Sequence, residues 1–247
     1  MAGIKIYAHR GGMTGEPENT VAAFKAAFSA GASGVECDIR RTADGQFVAF
    51  HDARTGGSCV RDWKISSTTW PHLKSLRVTG REPIAHLDDI LNLMILRPGK
   101  DFYFHLALAR ESDAADLALQ IRRAGVQDRA FLLEFQHRRR FLAAARAAAP
   151  DIGLAIMPFF PSDLLNSAWS AGASRVCCGW LDWPFAKQVF YAGAAAFKFR
   201  EQCGAAALAG IEVSAGIANH PRDMRRLAEL GARAVWTDDV PLAARYL

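Results

Sequence analysis

The sequence predicts an α/β barrel, and three observations carry that reading. Short apolar runs alternate with helical patterns from one end of the chain to the other, the pattern of parallel strand–helix–strand units. About eight such repeats follow one another without a linker, which favours a closed sheet over an open one. The chain has 247 residues, 51% of them hydrophobic, enough for one large core, so residues 1–247 are expected to form a single domain.

The first strand is expected over Ile4–Ala8. Pro17-Glu18-Asn19-Thr20 then offers a cap for a helix over Val21–Ala30, whose Phe24, Ala27 and Phe28 form an inward stripe and which Gly31 stops. Strands follow over Val35–Arg40 and Phe47–Phe50. Residues 53–82, and above all Thr55–Glu82, break the period; they are rich in Gly, Ser, Thr, Arg and Trp and read as an irregular excursion at the barrel mouth. The alternation resumes with helix Leu87–Leu96, strand Phe102–Leu108, helix Ala114–Ala124, strand Ala130–Phe135 and helix Arg138–Ala149. It continues with strand Ile152–Met157, helix Pro161–Ala171, strand Arg175–Cys178 and short helices over Phe185–Phe190 and Gly204–Ala209. Strand Ile211–Ala215, a helix Arg222–Leu230 led in by His220-Pro221 and closed by Gly231, and strand Ala234–Thr237 complete the series.

The net charge is +5, yet the basic residues are scattered. Their one tight cluster, Arg138-Arg139-Arg140, reads as a solvated helix face, so a nucleic-acid partner is not expected. A mildly basic chain suits an anionic small molecule. The five cysteines have no zinc spacing, and reduced thiols in the cytoplasm are the simple account. Cys177 and Cys178, adjacent on a strand, are expected on opposite faces. No apolar run approaches the roughly 20 residues of a membrane helix, and no signal segment precedes the first strand, so membrane insertion is not expected.

On the strand Val35–Arg40, Glu36 and Asp38 are two apart and share a face. Two carboxylates there repel each other unless something neutralises them, and a hard divalent cation is the usual solution. An exposed edge strand with two solvated acids is the alternative on this pattern alone. Asp44-Gly45 is a signal for a two-residue hairpin turn, and the stretch from Asp38 to Phe47 is too short for a helical crossover. With those two residues as the turn, His51 lies opposite Asp38, and Asp52 stands next along to hold it. Another turn type would shift the register by one and turn His51 away. His9-Arg10-Gly11-Gly12 follows the first strand, and in a parallel barrel such strand ends converge on one mouth. Arginine's planar fork suits a phosphate, and paired glycines allow close backbone approach. A lone histidine is more often structural; two of them with two carboxylates and an arginine point to a site.

As a set, His9-Arg10-Gly11, Pro17-Glu18-Asn19-Thr20, Glu36-Cys37-Asp38, Asp44-Gly45 and His51-Asp52 resemble the opening signature of the glycerophosphodiester phosphodiesterase family, in the phospholipase-C-like phosphodiesterase superfamily. Pro83-Ile84-Ala85-His86-Leu87 resembles the segment leading into its next helix, and Asn219, Leu230-Gly231-Ala232 and Thr237-Asp238 its closing elements. The resemblance spans nearly the whole chain, more weakly between residues 110 and 205. It implies a TIM (β/α)8 barrel and the cleavage of a small anionic phosphodiester, in lipid metabolism, to a phosphomonoester and an alcohol. Glu36 and Asp38 would carry one divalent ion, Mg²⁺ or Ca²⁺. Arg10 would grip the phosphate, and His9 and His51 would serve as general acid and base, as histidine can near neutral pH.

The third strand departs from the family. His105 stands where the family usually has a metal-binding Glu, and Ala107 where it has a Lys. Either His105 ligates the ion and alters its preference, or water fills the position. Lys198 or Arg200 would then replace the lost positive charge at the phosphate. Ala215-Gly216 also stands where the family often carries a Trp. A glycerophosphodiester is the leading substrate. A sugar phosphodiester of opine-like kind fits almost as well, given Phe159, Phe160, Trp180, Trp183 and Trp236 near expected mouth positions. Internal transfer to a cyclic phosphate would use the same histidines. A catalytically reduced phosphodiester-binding protein is the contrasting reading, and the oligomeric state stays open.

Overall fold

A computed structural model describes residues 3–12, 14–180 and 183–247. Eight parallel strands form a closed ring: Lys5–Ala8, Gly34–Arg41, Asp101–Leu106, Ala130–Phe135, Gly153–Met157, Arg175–Gly179, Glu212–Gly216 and Ala234–Thr237. The first strand pairs with both the second and the eighth, and that double pairing closes the barrel. Helices between successive strands cover the outside, as in a TIM barrel. Their ends follow local chemistry. The Thr20 hydroxyl accepts from the Ala23 amide at 3.2 Å to start Val21–Ser29, and Gly31, at φ +104°, ends it in a conformation an L-residue resists.

Three elements differ from expectation. The segment expected as Phe185–Phe190 is an eleven-residue helix, Ala186–Ala196, joined directly to Phe199–Leu208. Its run of Ala and Gly carries little periodic signal. A further helix, Val240–Tyr246, follows the last strand, capped by the Asp239 carboxylate on the Leu242 amide at 2.9 Å. The excursion after the second histidine holds more structure than expected. It includes a helical turn at Trp70–Leu73 and a hairpin of Arg77–Val78 with Glu82–Pro83, packed over a small core of Phe50, Ile65, Leu73, Leu76, Val78 and Ile84.

The hairpin after the second strand is also corrected. Its register pairs Ile39 with Ala49 and Arg40 with Val48, so Asp38 faces Phe50, whose amide donates to the Asp38 carbonyl at 2.8 Å. The loop has three residues, Ala43–Gly45: the Thr42 amide donates to Gln46 O at 2.9 Å, and Gly45 adopts φ +84°. Asp-Gly serves this three-residue turn as readily as the two-residue one. His51 therefore lies past the ladder, which ends at Ala49, and its placement rests on other contacts described below.

The two faces of the strands separate two cores. Cys178 belongs to the layer between strands and helices, whereas Cys177 lines the barrel interior with Tyr7, Tyr103, Phe131 and Trp236. These aromatic rings fill the middle of the barrel, Tyr103 and Trp236 lying 4.8 Å apart and Tyr7 and Trp236 4.9 Å apart between centroids. Trp236 is thus a core residue, with its indole N–H donating to Ser214 Oγ at 2.8 Å, and not a mouth residue. Arg138 is likewise tied in, its guanidinium 4.3 Å over Phe141 and donating to Leu108 O at 2.7 Å, while Arg139 and Arg140 are exposed.

Below the rings, at the N-terminal strand ends, a charged network seals the barrel. Glu212 meets Lys5 at 2.9 Å, Arg175 at 2.9 Å and the Tyr7 hydroxyl at 2.7 Å. Burial, with the charges of Glu212 and Asp101, keeps the Tyr7 phenol protonated far above its ordinary value. Removing a partner from a buried charged set leaves the others uncompensated. Glu212→Ala is therefore expected to cost about 2–3 kcal/mol in urea denaturation, after discounting for the part-exposed Lys5, while turnover per folded molecule is retained.

Candidate active site

At the opposite, C-terminal end the strands deliver their functional groups to one mouth. His9, Arg10 and Gly11 form a tight turn after the first strand. Gly11 has φ +88°, and a Cβ there would sit 2.7 Å from that of Ala23, so only glycine fits. Arg10 adopts φ 53°, and its amide donates to Glu36 Oε2 at 3.0 Å. Glu36 and Asp38 are both buried, 4% and 3% exposed, which excludes two solvated acids on an open edge.

Asp38 is held from three sides. The Asn19 amide donates to its Oδ2 at 3.0 Å, while Asn19 Oδ1 accepts from the Asp38 backbone amide at 2.9 Å. The Arg10 Nε lies 3.3 Å from the same Oδ2, and His105 Nδ1 is 2.8 Å from Oδ1. His105 reaches it because the parallel register sets Asp38 directly beside His105. Burial pushes the Asp38 carboxyl up, but the bond to His105, the nearby positive charges and Asn19 together hold it well below the usual range. Glu36 goes the other way. Burial and then the charge of Asp38 raise it well above its ordinary value, with only the Arg10 amide and charge opposing.

His9 is anchored by Asp238, whose Oδ1 is 2.8 Å from His9 Nδ1. Asp238 follows the eighth strand and sits beside the end of the first because Ala8 pairs with Thr237. Asn219, after the seventh strand, donates to Asp238 Oδ2 at 2.5 Å and accepts from its backbone amide at 2.8 Å. Burial alone would raise Asp238, and the contact with His9 and the Asn219 amide outweigh it and lower the carboxyl. His51 Nδ1 lies 2.9 Å from Asp52 Oδ1. Arg40, two residues along the face of Glu36 and Asp38, fixes that turn by donating to the carbonyls of Phe50 and His51 at 3.0 Å. Burial lowers the Arg40 guanidinium, and the charges of Asp38 and Asp52 oppose that shift.

All three histidines thus present Nδ1 to an aspartate. That pairing assigns the proton to Nδ1 and leaves the Nε2 lone pair for other work. One ligand atom each from Glu36, Asp38 and His105 lies within 4.8 Å of the others. Among the expected site residues, Glu36, Asp38, His105 and Arg10 are brought together directly, and His9 joins them through the turn it shares with Arg10. Lys198 is not brought in: it sits at the start of the helix Phe199–Leu208, 71% exposed, with Glu201 at 3.5 Å. Asp238, Asn219 and Arg40 carry roles that the sequence reading did not assign. Closure of the barrel is the signal that links Thr237-Asp238 to His9, because residues after the last strand then flank those after the first.

No helix of the described residues is long and apolar enough to cross a membrane. The model of the glycerophosphoryl diester phosphodiesterase family matches residues 9–154. The chain is 30% identical over 246 residues to the uncharacterized protein YqiK of Bacillus subtilis, covering 95% of this chain and 94% of that one. It is 28% identical to the glycerophosphodiester phosphodiesterase of Bacillus altitudinis, over 62% of this chain and 66% of the relative. Among solved structures it resembles an Oleispira antarctica phosphodiesterase in complex with the product sn-glycerol-3-phosphate, with a TM-score of 0.79, 22% identity, and 98% and 95% of the two chains covered. A glycerophosphodiester phosphodiesterase from Thermotoga maritima superposes with a TM-score of 0.74 at 21% identity, over 99% of each chain. With the signature residues gathered at the mouth of a closed barrel, the chain belongs to the glycerophosphoryl diester phosphodiesterase family and is a phosphodiester hydrolase.

Proposed function

We propose that this hydrolase cleaves small glycerophosphodiesters to glycerol 3-phosphate and an alcohol, with one divalent ion held by Glu36, Asp38 and His105 and with His9 and His51 as proton carriers. The observation that supports this most is the convergence of two buried carboxylates and an imidazole within 4.8 Å. The donor set fits a cation. Among the described residues no hydrogen-bond donor reaches Glu36 Oε1, and the repulsion between Glu36 and Asp38 is relieved by positive charge between them. The mixed oxygen and nitrogen donors shift preference from Mg²⁺ and Ca²⁺ toward Mn²⁺ or Zn²⁺.

When bound, such an ion acts as a Lewis acid that spreads the charge of the phosphodiester. The side chains supply the rest. Arg10, braced by Glu18 at 3.3 Å and by Asp38, offers its fork to a phosphate oxygen. One imidazole takes a proton from the attacking water through Nε2. The bond from phosphorus to the leaving oxygen breaks, and the other imidazole, protonated, delivers a proton to that oxygen. The carboxylates of Asp238 and Asp52 keep the two rings oriented through the exchange. Arg40, on the strand face that carries Glu36 and Asp38, adds positive charge beside Asp38, and Lys198 is left outside the phosphate contacts. The five free cysteines suit action in the cytoplasm.

The test is phosphorus NMR of glycerophosphoethanolamine turnover with Mg²⁺, Ca²⁺, Mn²⁺ and Zn²⁺ in parallel. Glycerol 3-phosphate is expected as the first product, fastest with Mn²⁺ or Zn²⁺. A cyclic phosphate appearing first would replace hydrolysis with internal transfer, and absence of turnover with every ion would favour a binding protein.

A further inference from the structure

The mouth is lopsided. Arg10, Asn19, Arg40, Asn219 and Asp238 make one side polar, whereas the side beyond His105 is aromatic. Phe135, at the end of the fourth strand, meets the His105 ring edge-on, with centroids 5.8 Å apart at 79°. Phe159, from the loop after the fifth strand, stacks on Phe135 at 5.8 Å and 17°, and on His137 at 5.2 Å and 23°. This wall starts on the inward face of the strands, since Phe135 lies one inward position beyond Leu133, which lines the barrel interior. It ends in solvent, with Phe159 53% exposed and Phe160 beside it 49% exposed. An aromatic stack that leaves this much apolar surface in water favours being covered.

A glycerophosphodiester has two unlike ends. The hydroxyls of its glycerol require donors and acceptors, in which the polar side is the richer; the alcohol beyond phosphorus then falls against the rings. We propose that Phe135, His137 and Phe159 form the leaving-group subsite, and that the preferred substrates are glycerophosphodiesters whose alcohol carries an apolar body. The assignment rests on the hydrolysis reading above and adds to it the class of alcohol. Phe159 is the specificity-determining contact, because it stacks on both Phe135 and His137 and is half-exposed to solvent.

Paired substrates test it. The ethyl and hexyl esters of glycerol 3-phosphate have leaving alcohols of nearly equal acidity, so their chemistry is matched and only the apolar body differs. With Mn²⁺ present, kcat/KM is expected to favour the hexyl ester by about tenfold or more, given the apolar surface four added methylenes can cover. Phe159→Ala should bring that ratio close to one, and Phe159→Leu should restore part of it. Turnover of both esters with equal kcat/KM in the unsubstituted protein, or a ratio that Phe159→Ala leaves unchanged, overturns the subsite while the hydrolysis reading stands. Failure to cleave either ester with any divalent ion overturns both.

Discussion

Replacing His9 with alanine is expected to lower kcat on a glycerophosphodiester by about 10²–10⁴-fold, the usual contribution of one positioned proton carrier. The size follows from geometry. His9 follows the first strand directly, its Nδ1 is fixed on Asp238 at 2.8 Å, and its Nε2 is left for the substrate. The fold should tolerate the change. The His9 side chain is part-exposed and belongs to none of the apolar clusters, so thermal unfolding should shift by only a few degrees, as loss of about 1 kcal/mol would cause. His51→Ala should lower kcat comparably. Asp238→Asn should lower it less, since the ring stays but its anchor weakens. A His9→Ala enzyme within about threefold of the unsubstituted rate would remove His9 from the chemistry.

The second large effect concerns the acid pair. Glu36→Gln should weaken divalent-ion affinity by about 10–100-fold or more and abolish metal-supported turnover. Its stability signature separates a ligand from a structural residue. Without ion, the variant should be no less stable than the unsubstituted protein, because a buried carboxylate raised by desolvation and by Asp38 is costly to keep there. With ion at about one hundred times Kd, the unsubstituted protein should gain about 2.7 kcal/mol and the variant little. A structural residue would give the reverse, a loss in both conditions. Thermal melts with and without Mn²⁺ distinguish the two.

Much of this was legible in the residues, for identifiable reasons. The alternation of short apolar runs with helical patterns sets the barrel, because parallel strands buried on both faces need little else to be recognised. Glu36 and Asp38 could be put on one face because the strand period is two, and His9 could be put at the mouth because strand ends in a barrel converge. The partners of these groups were harder to see. Asp238 meets His9 through a register between the two ends of the chain, which no local pattern encodes. His51 was placed by a hairpin register that proved one residue out, since Asp-Gly suits loops of two or three residues alike and the observed strand pairing, with Gly45 but not Asp44 left-handed, is that of the longer one. The turn that carries His51 is instead tied to the acid strand by Arg40, which donates to the carbonyls of Phe50 and His51, and an arginine on a strand announces no such task. The small core of the excursion was hidden by its polar composition, in which Ile65, Leu73, Leu76 and Val78 are widely spread and close on Val48, Phe50 and Ile84 from outside it.

His105 is where the chain parts from the family pattern, and the central claim is that its imidazole joins the second-strand acids around one cation. Anomalous diffraction from crystals grown with Mn²⁺ addresses this directly. One peak bounded by Glu36, Asp38 and His105 is the expected result; a peak elsewhere, or none at saturating Mn²⁺, would contradict the account.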